Sequence, residues 1–254
     1  MLSKNKIRLI NSLDSKKIRS ENGLFVAEGE KLVSEIIESQ LTIKYLAGTE
    51  DWFSKTDSRK LNSIEKDIVS NEQLKKISFL KTPQSVLCLA KIPTYDLNLA
   101  SLKDKLLLVL DNVQDPGNLG TIIRIADWFG IEHIICSVNS ADAFNPKVVQ
   151  ATMGAICRVK IYYEDLAEIL KTSQRLNIPM FGTTLNGENI YNADLKPNGL
   201  IMMGNESKGI SPACIPYLTQ QLFIPFYPPE QQQSESLNVA IATAIVCSEF
   251  RRRM

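Results

Sequence analysis

Three short stretches gather side chains suited to binding and orienting a ligand rather than to packing. The first, Leu110-Asp111-Asn112-Val113-Gln114-Asp115-Pro116-Gly117-Asn118-Leu119-Gly120, leads into a segment of helical spacing that carries Arg124. The second, Met203-Gly204-Asn205-Glu206-Ser207-Lys208-Gly209-Ile210-Ser211-Pro212, follows an apolar run, and its two glycines suit a backbone that approaches a ligand closely. The third, Ser234-Glu235-Ser236-Leu237-Asn238-Val239, stands before the final helix, where a Ser–x–Asn presents two polar side chains and free backbone N–H groups to one spot. Asn118 is placed to cap the helix after the first loop, and Ser211 with Pro212 to open a short helix after the second. Each stretch taken singly also fits an ordinary capped turn. Neither GxGxxG nor GxxxxGK[ST] is present, so the common dinucleotide and P-loop fingerprints are absent. His133, the single histidine, lies in a strand-like run and reads as a core residue rather than a general base.

The elements that must carry these loops follow from periodicity. Apolar runs predict strands at Lys105–Leu110, His133–Val138, Arg158–Tyr163, Met180–Thr184, Leu200–Gly204 and Gln221–Pro225. Helical spacing fills 118–129, 144–153 and 164–176, and the alternation implies βαβ units around a mainly parallel sheet. In such sheets ligands collect beyond the carboxyl ends of the strands, which is where all three loops fall. The last helix, from about Leu237 to Arg253, is apolar nearly all round, so it is either central or a subunit contact. Upstream, strands at 23–27, 41–47 and 85–92 with helices at 28–39, 50–62 and 71–77 make a smaller α/β unit. The Pro- and Asn-marked stretch 92–98 predicts a boundary between domains at 1–95 and 96–254.

Composition sets the limits of function. The 254 residues are 44% hydrophobic, enough for a sizeable core, and 29 basic side chains nearly cancel 28 acidic ones. The halves differ: residues 1–95 carry 16 basic and 12 acidic groups, while the remainder carries 13 and 16. Lys4, Lys6, Arg8, Lys16, Lys17 and Arg19 fall within the first twenty residues, a hint of a polyanionic partner that a solvated helix face explains about as well. No apolar run is long enough to span a bilayer, and the N-terminus lacks the apolar core of a secretory signal. Five unpaired cysteines with no close spacing argue against a structural zinc site. The chain reads as a cytoplasmic, metal-free protein without a membrane partner.

Taken together, the loops resemble the three motifs of the SpoU/TrmH family of RNA ribose 2′-O-methyltransferases in the SPOUT superfamily. The matching residues are Asn118 followed by Arg124, the run Gly204-Asn205-Glu206-Ser207-Lys208-Gly209, and Ile224-Pro225 followed by Ser236-Leu237-Asn238-Val239, over residues 105–250. Phe25-Val26-Ala27-Glu28-Gly29-Glu30-Lys31-Leu32-Val33 is similar to that family's ribosomal-protein-like substrate-binding domain. The resemblance implies an α/β fold whose C-terminal sheet holds a deep trefoil knot, a small RNA-binding domain before it, a homodimer, and S-adenosylmethionine as methyl donor. It implies catalytic roles for Asn118, Arg124, Glu206, Ser236 and Asn238. It implies a cofactor site at Thr183, Thr184, Leu185, Gly204, Asn205, Gly209, Ile224 and Leu237. Ribosomal RNA of 23S type is the favoured substrate. A transfer-RNA methyltransferase, or a non-catalytic RNA-binding assembly factor, is the alternative. The link 226–235 departs from the family, being longer than usual and free of glycine.

Overall fold

The structure, a computed structural model, describes residues 2–227 and 236–253. The chain begins with α1 (Lys4–Ser12), α2 (Lys16–Asn22), β1 (Leu24–Glu28), α3 (Glu30–Glu38), β2 (Ile43–Gly48), α4 (Glu50–Lys55), β3 (Glu65–Ile68), α5 (Asn71–Lys75) and β4 (Val86–Lys91). It continues through α6 (Leu99–Leu102), β5 (Leu106–Leu110), α7 (Pro116–Trp128), β6 (His133–Ser137), α8 (Pro146–Ala151), β7 (Lys160–Glu164), α9 (Leu166–Arg175), β8 (Met180–Asn189), β9 (Gly199–Met203), β10 (Gln220–Phe223) and α10 (Val239–Arg252).

Two compact units result, one of Met1–Thr94 with Asp142–Arg158, the other of Tyr95–Ala141 with Val159–Met254. In the first, four strands in the order β1-β4-β2-β3 form a mixed sheet with only β2 and β3 parallel. Ile10, Leu13, Leu74 and Ile77 from the helical layer bury against Val26, Tyr45, Leu87 and Leu89 of the strands. The segment Asp142–Arg158, which sequence assigns to the second domain, packs into this unit. Phe144 sets its ring 5.1 Å from that of Phe25. The Arg19 guanidinium, 1% exposed, donates to Asp142 Oδ2 at 2.5 and 3.0 Å and to the carbonyls of Leu13 and Asp14. Lys6 is also engaged, pairing with Glu65 at 2.7 Å and Asp67 at 3.2 Å over the Tyr45 ring. Arg19 and Lys6 therefore serve the fold.

The second unit is a six-stranded sheet in the order β10-β8-β9-β5-β6-β7, every neighbouring pair parallel. Strands covered on both faces bury every side chain, and Leu106–Leu110 and Gly199–Met203 do so throughout. Leu107 and Val109 join one core layer with Leu166, Ile169 and Leu170 of α9. The alternate residues face the other side, where α10 packs along α7 and Phe250 meets Phe181 ring to ring at 5.0 Å. The sheet order sets β5 between β6 and β9, so the chain leaves β5 in one direction and returns on its other flank. That switch point opens a crevice at the carboxyl ends of β5 and β9.

Candidate active site

The loop after β5 is shaped by its own acceptors. Asp115, not Asn118, caps α7: its Oδ1 accepts the Asn118 N–H at 2.7 Å. Pro116 explains the difference, because a residue without an N–H and with φ preset for a helix takes the first helical position and leaves the cap to its predecessor. Asn118 consequently keeps its side chain free to reach across the crevice. Its Nδ2 donates to Glu206 Oε1 at 3.1 Å, and its Oδ1 accepts from Asn238 Nδ2 at 2.9 Å. Asn238 is the cap of α10, with Oδ1 accepting the N–H groups of Ala240 and Ile241 at 2.9 and 3.2 Å.

Three predicted residues thus form one chain of bonds, Glu206 to Asn118 to Asn238. Its direction is fixed at both ends. A carboxylate can only accept, and a capping oxygen must accept, so both amides have a single allowed orientation. Glu206 Oε1 also accepts the Asp115 N–H at 3.2 Å, and its Oε2 faces Asn205 Nδ2 at 3.3 Å and the Gln114 N–H at 3.5 Å. No cation pairs with Glu206 among the described residues; N–H dipoles alone hold it.

Arg124 lies farther along α7, about 120° around the helix from Asn118 at roughly 100° per residue. It is exposed and makes no hydrogen bond or ion pair with the described residues. The structure does not join it to the Glu206 chain, but leaves a permanent cation open to an anion from solvent. Ser236 and Leu237 are exposed beside Asn238. Residues 228–235, most of the unusual link, lie outside the described residues.

The loop after β9 folds back on itself. Asn205 and Gly209 exchange two backbone bonds of 2.9 Å, while Asn205 Oδ1 accepts the N–H groups of Ser207 and Lys208 at 3.0 Å each. A Cβ on Gly204 would stand 2.2 Å from the Gly209 carbonyl carbon, and Gly209 itself has φ +68°, so both glycines are demanded by this closure. Beyond it Ser211 does not cap a helix. Residues 211–214 make a turn closed by Cys214 N–H to Ser211 O at 2.8 Å, and a short 3-10 turn follows at Ile215–Tyr217.

Beside this loop lies a cavity of about 920 Å³. Thr183, Thr184, Leu185, Gly204, Asn205, Gly209, Ile224 and Leu237, the residues expected to hold a cofactor, all line it, together with Glu206 and Ser236. Sequence reasoning missed Met203, Ile210, Ile215, Leu222, Phe223, Val239 and Ala242, which also line it. Their types are those of ordinary core positions, and no local signal separates the two uses. The described lining suits an adenosyl sulfonium: apolar side chains for a flat ring, peptide edges for its polar rim, the Glu206 carboxylate for a positive centre. Among the described residues Lys208 is the only cation in the wall, too little for a polyphosphate.

His133 is 5% exposed at the start of β6, the end away from these loops, with Nδ1 3.0 Å from the Tyr162 hydroxyl. Burial, with Lys105 and Lys160 nearby, pushes its pKa down. It takes no part in the site.

Comparison with known proteins adds the following. A family model described as the SpoU rRNA Methylase family matches residues 105–248, and one described as an MRM3-like substrate binding domain matches residues 4–88. The chain is 29% identical to the 23S rRNA (guanosine(2553)-2′-O)-methyltransferase RlmP of Bacillus subtilis over 97% of its own length and 96% of the relative's. It superposes at TM-score 0.89 and 38% identity, over all of both chains, on a protein of Porphyromonas gingivalis assigned to the TrmH family of RNA methyltransferases. The AdoMet-bound rRNA methyltransferase of Sinorhizobium meliloti superposes at TM-score 0.85 and 29% identity, over 100% of this chain and 97% of that one.

Proposed function

This chain belongs to the SpoU rRNA methylase family, and from that membership we propose that it methylates a ribose 2′-hydroxyl of 23S-type ribosomal RNA with S-adenosylmethionine. The observation that carries the reading is the Glu206–Asn118–Asn238 chain set beside a cavity that fits the methyl donor. The donor, once bound, supplies an electrophilic methyl group. The protein's own task is to hold the hydroxyl in line with it and to help remove a proton.

Arg124 is the residue open to an RNA phosphate, and holding that phosphate beside the 2′-hydroxyl lets it assist proton loss. A permanent guanidinium cation is unsuited to act as the base itself. Asn118 and Glu206 shape the nearby wall. Asn238, and Ser236 beside it, orient the ribose from the N-terminus of α10.

The same reading extends to the remaining parts. The unit at 1–95 binds RNA, with Lys4 and Arg8 exposed on α1 and Lys16 and Lys17 on α2, while Lys6 and Arg19 are engaged in the fold. Two copies associate through α7 and α10, which leave Trp128 84% exposed and Ile241 53% exposed. The knot implied by the motifs belongs to the second unit. No described helix is long and apolar enough to cross a membrane, and likeness to a bacterial rRNA methyltransferase over nearly the whole chain supports a cytoplasmic location.

The test uses purified protein, labelled S-adenosylmethionine, and unmethylated rRNA and tRNA separately, with digestion and mass spectrometry to find the label. A 2′-O-methylated nucleoside in rRNA is expected. Label only in tRNA would keep the chemistry and change the substrate; RNA binding without transfer, on ribosomal subunits as well, would leave an assembly factor.

A further inference from the structure

A carboxylate with no part in the proposed chemistry sits where the two site loops meet. Asp111, directly after β5, is 3% exposed. Its Oδ2 accepts the Ser211 N–H at 2.7 Å, and its Oδ1 accepts from Asn112 Nδ2 at 3.1 Å. Its own N–H donates to the Met203 carbonyl at 2.9 Å, carrying the β5–β9 register one residue past the strands. It forms no ion pair with the described residues. Burying a carboxylate is costly unless its lone pairs are used, so what it accepts from is what justifies its place.

Asn112 completes the arrangement. It stands in the left-handed region at φ +56°, which Asn tolerates better than most residues, with its N–H donating to Ser137 Oγ at 2.9 Å. That conformation turns its carbonyl toward Asn205 Nδ2, 2.7 Å away. The dipeptide therefore grips the second loop at both ends, Asn205 near its start and Ser211 at its close. Between the grips lie Glu206, Gly209 and Ile210, all in the cavity wall.

We infer that Asp111 is a positioning residue for the methyl donor: with Asn112 it staples the Gly204–Ser211 loop to the end of β5, so that one wall of the cavity is formed before the donor arrives. Preformed walls raise affinity by removing the ordering that binding would otherwise require. Asp111 is not among the residues that line the cavity. The inference rests on the cavity being the donor site, as proposed above.

Asp111→Ala and the exchanged pair Asp111→Asn with Asn112→Asp separate this role from plain packing. In the exchanged pair, position 111 still offers a carbonyl oxygen to the Ser211 N–H, and its amide can donate to the new carboxylate at 112. Amide hydrogen exchange of the 204–211 segment, in protein without ligand, should rise about tenfold in Asp111→Ala, the loss of one charge-assisted bond, and return near wild type in the exchanged pair. Calorimetric titration with S-adenosylmethionine should weaken about tenfold and recover in the same order, with KM for the donor following while kcat and the RNA KM stay within about threefold. Unchanged loop exchange in Asp111→Ala would overturn the inference. So would a lowered melting temperature with losses that the exchanged pair does not repair, since Asp111 would then only support the fold. A wild-type protein that does not bind S-adenosylmethionine, while Asp111 still governs loop exchange, would instead overturn the donor-site reading.

Discussion

Asn118 is the residue through which two distant motifs become one site. Its amide receives a bond from the cap of α10 and gives one to Glu206, and neither partner could exchange roles. The loops that hold Asn118, Glu206 and Asn238 were legible because each is an unusual polar stretch after an apolar run, while the choice of these three residues came from the resemblance to the SpoU/TrmH motifs. The polarity of the chain was not legible, since it depends on Asp115 taking the cap that Asn118 could equally have filled. Asp111 was illegible for a related reason: an Asp at a strand end has many uses, and its partner Ser211 is a hundred residues away. Arg124 gives the clearest residue-level prediction. With no partner among the described residues to lose, Arg124→Ala should leave stability within about 0.5 kcal/mol of wild type. Its transfer rate should fall by about a hundredfold or more, as when one charge-stabilising group is removed from an active site. Donor affinity, measured by calorimetry, should not move. Retained turnover would remove Arg124 from the role.

Helix α10 shows how one element is fixed at both ends for the sake of its first residue. At its start, Asn238 is both the cap and the donor to Asn118. At its end, Arg253 donates to the carbonyls of Ile190 and Tyr191 at 3.0 and 2.7 Å, Arg251 to that of Phe129 at 2.7 Å, and Glu249 gathers Arg252 and Arg253. The hydrogen bond from Arg252, aided by Arg253, holds the Glu249 pKa down at about 2. A carboxylate depressed in the folded state stabilises above its unfolded pKa, about 4.3, and that contribution disappears as pH falls toward the folded value. Glu249→Gln should therefore cost about 1 kcal/mol at pH 7, exposed Arg252 limiting the gain, with the gap to wild type closing between about pH 5 and pH 2. Urea unfolding at several pH values measures it, and parallel curves would rule the clamp out. Strands of the second unit were legible because burial on both faces writes them as unbroken apolar runs. Strand β3, Glu65-Lys66-Asp67-Ile68, was missed because an edge strand can be charged, and the helix expected over 50–62 ends at Lys55, with Asp57 capping a separate 3-10 turn.

Over the whole chain, charge and hydropathy foretold less than the motifs did. The basic start pointed at a polyanion, yet Arg19 is spent on Asp142 and Lys6 on Glu65 and Asp67. That Asp142–Arg158 would pack with the first unit is a long-range fact with no local signature; its apolar residues read as any crossover helix would. The last helix is where sequence and structure press the same question. Its all-round apolar character calls for cover on several sides, but α7 and the sheet cover only one: Ile241 stays exposed, with Ala244 and Ile245 half-buried one turn on. Neighbouring α7 offers Trp128 almost wholly to solvent and Ile125 half-buried beside it. A large exposed aromatic on one helix, with an exposed aliphatic on its neighbour, forms the kind of centre on which association energy concentrates. The proposed homodimer uses this face, and Trp128→Glu combined with Ile241→Glu tests it. Wild type should elute with light scattering at twice 28.4 kDa and the double variant at 28.4 kDa, its folded circular dichroism unchanged because both side chains are exposed. Ile241 lies in the first turn of α10, where its N–H is capped by Asn238, so methyl transfer should fall with the dimer even where helix content does not. A wild type that scatters as a monomer would overturn the dimer, and a monomeric double variant with full turnover would show that each copy completes its own site.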